Sequence, residues 1–145
     1  MREFLLQPNV RLLACVDILL VLKMMTVGNY TSFLRITGKV FAAPEDYELR
    51  GVVPADAPSE AVERARRSHR NDLENIPLFF VISGLYLLTE PSHVMLAVYA
   101  RGFFAARALY SVFYARSMQP HRTVAFTLGS VATFAMAAST LARLI

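Results

Sequence analysis

The segment from Thr123 to Ala142 contains twenty consecutive residues without a charged side chain. A helix rises about 1.5 Å per residue, so this segment is long enough to cross the ~30 Å hydrocarbon core of a bilayer. It is also rich in small residues, which allow helices to pack closely in a membrane. We therefore predict a transmembrane helix here, and the rest of the chain must fold in a way that suits a lipid environment.

Three further segments are apolar enough to accompany it, since 55% of the 145 residues are hydrophobic and 18% are charged. We predict spans at about residues 10–34, 62–89, 94–118 and 123–142, all within a single domain of residues 1–145. A signal peptide is the alternative for the first span, but that segment is too long and lacks a small-residue cleavage site. The short second and third connections imply an all-α fold, an integral membrane four-helix bundle that runs up-down-up-down.

Basic residues concentrate in two of the three predicted loops. Arg35, Lys39 and Arg50 follow the first span, and Arg116 and Arg122 precede the last, whereas the middle loop has no Lys or Arg. By the positive-inside rule, the two basic loops face the cytoplasm and both termini lie on the other side. The sequence therefore predicts a multi-pass protein of the endoplasmic reticulum or of a bacterial inner membrane.

Charged residues also occur inside the predicted spans. Asp17 and Lys23 are six positions apart, so they point to different sides of one helix and cannot pair within it. Charges within a span almost always face protein, and we favour packing ion pairs over a chemical role for both. In the third span, Arg107, Tyr110 and Tyr114 recur at a helical spacing and share one face.

The stretch from Val62 to Ile76, VERARRSHRNDLENI, combines four arginines with a histidine, two asparagines and three acids. It contains no Gly or Pro and predicts a helix, which Ser59 or Asp56 would cap. One broad face of this helix collects most of the polar side chains, namely Glu63, Arg67, Arg70, Asn71 and Glu74, flanked by Arg66 and His69. This face is either a solvated basic helix end beside lipid headgroups or a wall that binds anions, because guanidinium groups pair bidentately with carboxylates.

Other kinds of site are not indicated by the sequence. The single cysteine, Cys15, excludes an intrachain disulfide and is expected to pack. His69, His93 and His121 are too far apart for ligand spacing, so we expect no metal. There is no glycine-rich phosphate motif. The basic residues flank apolar spans rather than exposed aromatics, so we expect no nucleic-acid partner.

In the predicted topology, the basic ends of all four helices meet. Arg35, the charged face of the second span, Arg107 with Tyr114, and Arg122 would then surround one mouth. Like charges at close range repel each other unless an anion lies between them. This arrangement suits a protein that binds a small polyanion from water and presents it to an apolar molecule in the bilayer.

The run ERARRSHRNDLEN resembles the superfamily of membrane-associated proteins in eicosanoid and glutathione metabolism (MAPEG), which includes the microsomal glutathione transferases and microsomal prostaglandin E synthase. Four more motifs agree in register: LLVLKMM, RITGKVFAAPED, FFAARALYSVFY and QPHR. The pair Arg66-Arg67 and the QPHR turn are similar to the first-type transferase, whereas Arg70 is similar to the synthase.

This resemblance implies a homotrimer in membrane lipid, with glutathione as co-substrate, no metal, and a hydrophobic electrophile as second substrate. Glutathione would bind between subunits at the cytoplasmic side. Arg35 of one subunit would face a set from its neighbour, namely Arg66, Arg67, His69, Arg70, Asn71, Glu74, Arg107 and Tyr114. Arg122, with Tyr114 and Thr123, would form the catalytic group and hold the thiolate, aided by the helix dipole.

The sequence departs from the family pattern at a few positions. Thr123 stands where the synthase has serine and the transferase glycine, and Tyr110 stands where the synthase has histidine. The loop before Arg122 is one residue shorter than in either relative. Asp46 matches an acid of the synthase, but the same PED occurs in the transferase. These differences favour conjugation over isomerisation.

We therefore expect a membrane glutathione transferase that conjugates hydrophobic electrophiles and also reduces lipid hydroperoxides. The alternatives are a glutathione-dependent isomerase of the synthase kind and a non-enzymatic membrane scaffold or lipid-binding relative. A small efflux carrier is disfavoured, because the charges gather at one mouth rather than at mid-membrane.

Overall fold

The structure is a computed structural model that describes residues 2–54 and 59–145. Every regular element in these two ranges is an α-helix, which confirms the all-α class. The helices are α1 (Arg2–Leu6), α2 (Pro8–Gly38), α3 (Pro44–Arg50), α4 (Glu60–Leu88), α5 (His93–Ala115) and α6 (His121–Leu144).

Four of these helices are long, and each corresponds to one predicted span, with ends that differ from the prediction by a few residues. The two short helices were not expected. The first span was predicted to begin at about residue 10, but α1 forms before it and α2 already begins at Pro8. The loop after α2 contains α3, which starts with Pro44 at its first turn and stops at Gly51 in a left-handed conformation, φ 59°. Pro at the start and Gly at the end are the preferred residues at these positions.

The four long helices pack side by side around a common apolar core. Helix α5 contacts α6 and α2, and α4 contacts α2, α5 and α6. Leu20, Ile76 and Met136 are fully buried at the centre. The rings of Phe79 and Phe103 stack with centroids 4.0 Å apart and planes 4° from parallel, so α4 and α5 are joined by close aromatic contact.

A charged cluster lies in the same interior. Lys23 on α2 donates to Oδ1 of Asp72 on α4 at 2.5 Å, and Arg107 on α5 approaches the same oxygen at 3.6 Å. The Asp72 and Arg107 side chains are 0% exposed. The expected packing ion pair is therefore confirmed for Lys23. Asp17 differs, because its Oδ1 is shielded and has no hydrogen-bond partner in the described part of the chain.

Helix α4 shows two local features that the sequence predicted only in part. Ser59 occupies the N-cap position, as expected, but its side chain makes no capping hydrogen bond. The alternative cap, Asp56, lies outside the described residues. Pro77 falls inside the predicted span of residues 62–89, and α4 remains a continuous helix through it.

One helix among the described residues, α6 (His121–Leu144), is long and apolar enough to cross a membrane by length and composition. Helices α2 and α4 carry more charged residues than α6, including Lys23 and the arginines of α4, and α5 carries Arg101 and Arg107 within its apolar stretch. Large apolar side chains nevertheless face outward on them, for example Leu78 (61% exposed) and Val98 (59%).

The charged cluster makes a testable prediction about stability. Asp72→Leu would leave Lys23 and Arg107 buried without a counter-ion, whereas Lys23→Met would leave Asp72 and Arg107 to neutralise each other. Removing one partner of a buried pair costs about 3–5 kcal/mol. We expect Asp72→Leu to lose about that much in detergent unfolding monitored by circular dichroism, and Lys23→Met to lose clearly less.

Glu74→Gln is the matched control, because it breaks the exposed pair with Arg70 and should cost less than about 1 kcal/mol. Equal losses for Lys23→Met and Asp72→Leu would show that Arg107 does not share the Asp72 carboxylate.

Candidate functional site

The amino-terminal half of α4 has two different faces. Val62, Ala65, Ser68 and Asp72 are buried against the other helices. The opposite, exposed face carries three arginines and two acids, Glu63, Arg66, Arg67, Arg70 and Glu74, and we call it the arginine face. The helical period thus separates residues that hold the fold from residues that are available to a ligand.

Acidic side chains partly neutralise the arginine face. Arg66 Nη1 lies 3.3 Å from Glu63, and Arg70 Nε lies 3.7 Å from Glu74. The expectation that the arginines would repel each other without an anion is therefore too simple, because these acids reduce the repulsion. The pairs are exposed, with side-chain exposures of 63% for Arg66 and 73% for Arg70. Exposed pairs of this kind are weak and can be replaced by a ligand.

The arginine face surrounds an open depression of about 420 Å³. Its lining includes Arg66, Arg67, Arg70 and the edge of His69. A single chain therefore offers a basic surface rather than a closed pocket.

His69 packs against another helix. A side-chain carbon built at Gly28 on α2 would lie 3.3 Å from the His69 ring. The His69 Nδ1 is shielded and lacks a hydrogen-bond partner among the described residues. His69 thus fills the contact between α2 and α4 beside the arginine face, and Gly28 is the residue that leaves room for its ring.

Arg107 is placed differently from the prediction. It was expected at the mouth as a glutathione ligand, but its side chain is completely buried. Its guanidinium donates to the Asn71 side-chain oxygen and to the Asn71 carbonyl at 3.3 Å. It also lies 5.0 Å from the centroid of the Tyr110 ring. Arg107 therefore supports Asn71 from within and offers no surface to a ligand in this conformation.

The structure brings Arg122 and Tyr114 together. The Arg122 guanidinium carbon lies 4.6 Å from the centroid of the Tyr114 ring, within the range of a cation–π interaction. Gln119 holds the other side of Arg122. In the amide orientation that suits both neighbours, its oxygen accepts from Arg122 Nε at 3.2 Å and its nitrogen donates to Thr123 Oγ1 at 3.0 Å.

Arg122 is the second residue of α6. The exposed N–H groups of a first helical turn carry partial positive charge and favour an anion. A cationic side chain and a helix start therefore act in the same place, and both favour a negatively charged ligand atom.

Two predicted residues lie apart from this pair. Arg35 is in the last turn of α2, where its carbonyl accepts from Val40 N–H at 2.9 Å. Asp46 is in the first turn of α3. In the described part of the chain, neither side chain forms a hydrogen bond or an ion pair with the other predicted site residues.

Sequence reasoning missed Asp72, Gln119 and Gly28. Asp72 could have been found, because it continues the buried positions Val62 and Ala65 at helical spacing and must therefore face the interior. Gln119 begins the QPHR motif, which indicated a turn but not a contact with Arg122, and the sequence carried no signal for Gly28. Within residues 2–54 and 59–145, no group of His, Cys, Asp or Glu side chains is arranged to hold a metal.

Comparison with known proteins shows what this chain is similar to. The model of the MAPEG family matches residues 13–142. Microsomal glutathione S-transferase 1 of Mus musculus is 41% identical over 123 residues, which cover 79% of this chain and 77% of the mouse protein. The Homo sapiens protein of the same name is 38% identical over 120 residues, with the same coverage, 79% and 77%. Prostaglandin E synthase of Bos taurus is 33% identical over 120 residues, which cover 82% and 78% of the two chains.

The contact between Gly28 and His69 can be tested with a matched pair of glycines. Gly28→Ala places a methyl group too close to the His69 ring, whereas a methyl at Gly102 on α5 meets nothing within 4 Å. Replacing a helical glycine normally stabilises by about 0.5–1 kcal/mol, and overpacking costs about 1–3 kcal/mol. We expect Gly102→Ala to unfold at the wild-type temperature or above, and Gly28→Ala to unfold below it. Equal stabilisation of both variants would contradict the contact.

Proposed function

The chain belongs to the MAPEG family, and from this premise we propose that it is an integral membrane glutathione transferase. It would join the thiolate of glutathione to hydrophobic electrophiles and also reduce lipid hydroperoxides. The observation that carries the proposal is the placement of Arg122, stacked on Tyr114 at the start of α6. The names of the relatives, microsomal glutathione S-transferase 1 among them, support the same activity.

The arginine face supplies what glutathione needs for recognition. The tripeptide has two carboxylates and one ammonium group. Arg66, Arg67 and Arg70 would bind the carboxylates through paired hydrogen bonds, and Glu74 would accept from the ammonium. Because the resident ion pairs are exposed and weak, a ligand with both signs of charge can exchange with them at little cost.

Arg122 would stabilise the sulfur as its thiolate. A free thiol ionises near pKa ~8.5, and the ionised form is the nucleophile. A guanidinium beside the sulfur and the dipole of α6 both favour the ionised form, and each unit by which the pKa falls is worth about 1.4 kcal/mol. The Tyr114 ring and Gln119 fix the direction of the guanidinium, and Thr123 contributes its hydroxyl one residue further on.

Asn71 and Arg107 would have different roles at the glutathione site. Arg107 is buried and bonded to Asn71, so we assign it a positioning role. Asn71 itself is half-buried at the edge of the arginine face and would contact glutathione. The same reasoning makes His69 a positioning residue, since its ring packs on Gly28.

We further propose a homotrimer of chains whose four long helices cross the bilayer, with the site at the cytoplasmic side. The outward-facing apolar residues of these helices, including Phe134 at 76% exposure, favour lipid or a second copy as their surroundings. The open depression on α4 would be closed by a neighbouring chain that supplies Arg35. The basic loops set the orientation, as the positive-inside rule requires.

An isomerase of the synthase kind is the second candidate. It is favoured by the likeness to prostaglandin E synthase, at 33% identity, together with Arg70. Parallel assays of chloronitroarene conjugation and of endoperoxide isomerisation would separate the two activities. Adding glutathione to the purified protein should produce the ultraviolet absorbance of a thiolate. Absence of that signal, with neither activity detected, would favour a non-enzymatic membrane protein and overturn the proposal.

Arg122→Ala should reduce conjugation by a factor of about 100 or more, because it removes the charge placed at the sulfur. Glutathione affinity should remain nearly unchanged, since the arginine face is intact. Stopped-flow measurement of thiolate formation would separate the two effects. Arg116→Ala is the control, being an exposed arginine at the end of α5. Full activity in Arg122→Ala would refute the thiolate assignment.

Glu74→Gln should weaken glutathione binding by about tenfold, because a charge-assisted hydrogen bond to the ammonium contributes roughly 1.5–3 kcal/mol. Titration calorimetry would measure the change. Glu45→Gln, an exposed acid on α3, should leave the affinity unaltered. Unchanged affinity in Glu74→Gln would remove Glu74 from the binding site.

A further inference from the structure

A separate cavity, open at one side, lies between α2, α4 and α5. Its volume is about 290 Å³, and its lining includes Val27, Tyr30, Ala61, Ser68, Ser111 and Tyr114. It faces the buried side of α4, whereas the arginine face is on the exposed side. The proposed chemistry does not use this cavity. Its volume is at the small end of the range of about 300–1,000 Å³ found for ligand sites.

Two hydroxyl groups in this cavity have no partner in the part of the chain that the structure describes. Ser68 is 4% exposed, and the Oγ atoms of Ser68 and Ser111 are both shielded without a hydrogen bond among the described residues. Helical hydroxyls usually donate to a preceding carbonyl, as Thr31 does to Val27 at 2.9 Å. A buried hydroxyl left unpaired costs about 1–3 kcal/mol. Both hydroxyls are therefore free to bond to a molecule in the cavity.

The charges at the cavity do not favour an ion. Glu60 and Arg64, which also line it, pair with each other one helical turn apart. The hydroxyls are uncharged, and the remaining lining is aliphatic or aromatic. Tyr30 and Tyr114 supply two rings, which suit a flat apolar body. The cavity thus matches a neutral molecule with one polar end.

We propose that this cavity binds a small uncharged aromatic molecule whose carbonyl or nitro oxygen accepts hydrogen bonds from Ser68 and Ser111. A carbonyl oxygen has two lone pairs and can accept from both hydroxyls at once. The site is distinct from the arginine face and needs no glutathione. A molecule bound there would contact Tyr114, whose ring also makes the cation–π contact with Arg122.

The test uses trifluoromethyl-substituted acetophenone, an aromatic ketone with a fluorine label, and the full-length protein in detergent without glutathione. Fluorine NMR should show a saturable shift beyond that seen in empty micelles. The double variant Ser68→Ala/Ser111→Ala should weaken binding by roughly tenfold, because two hydrogen bonds are lost. Ser32→Ala, an exposed serine elsewhere on α2, should bind as the wild type does.

A second variant tests binding in the cavity while leaving the buried serines unchanged. Ala61 lines the cavity but is exposed at its other side, so Ala61→Leu should fill the space and abolish the shift while α4 remains folded. No saturable shift in the wild type, or equal binding in wild type and Ala61→Leu, would overturn the proposal and leave a cavity that holds only water. Glutathione thiolate absorbance, measured on the same samples, reports separately on the proposed transferase function.

Discussion

The fold depends on one buried carboxylate, Asp72, which holds cations from two other helices. Lys23 of α2 and Arg107 of α5 both reach Oδ1 of Asp72. Burying any of these charges alone would be costly, and most costly in a helix surrounded by lipid. The register of three long helices is therefore fixed by a contact that tolerates little sliding. Apolar packing alone, such as the stack of Phe79 on Phe103, fixes the helix register less specifically, because neighbouring registers bury a similar area of apolar surface.

The same stretch of α4 that carries this carboxylate also carries the proposed glutathione site. Asp72 faces inward, and its neighbours Arg70 and Glu74 face outward. Asn71 lies between them and is held by Arg107, which is in turn held by Asp72. A chain of contacts thus runs from the interior to the edge of the arginine face. This explains why a ligand site on an exposed helix face can be well ordered, since rigid support behind a site limits its movement.

Much of this could be predicted from the sequence, and the failures have physical reasons. Apolar runs and helical spacing predicted the four long helices, the shared face of Arg107 with Tyr110, and the paired state of Lys23. The partner of Lys23 could not be predicted, because any acid at a similar depth satisfies the same requirement. The resemblance implied that Arg107 contacts the ligand, whereas in this structure its guanidinium contacts the Asp72 carboxylate and the Asn71 amide, partners that residue type alone could not identify. A contact such as Gly28 with His69 depends on helix distance, which composition does not encode.

Tyr114 joins the two regions that this structure offers to small molecules. Tyr114 lines the cavity between α2, α4 and α5, and its ring also contacts the Arg122 guanidinium. A cation–π contact is directional, since the guanidinium must remain over the ring face. Any molecule that fixes or tilts the ring from the cavity side therefore also changes where Arg122 points. Because electrostatic stabilisation of a thiolate weakens with distance, a shift of the ring would alter the reactivity of a sulfur held there. Two binding regions that share no ligand would then be coupled through one aromatic side chain.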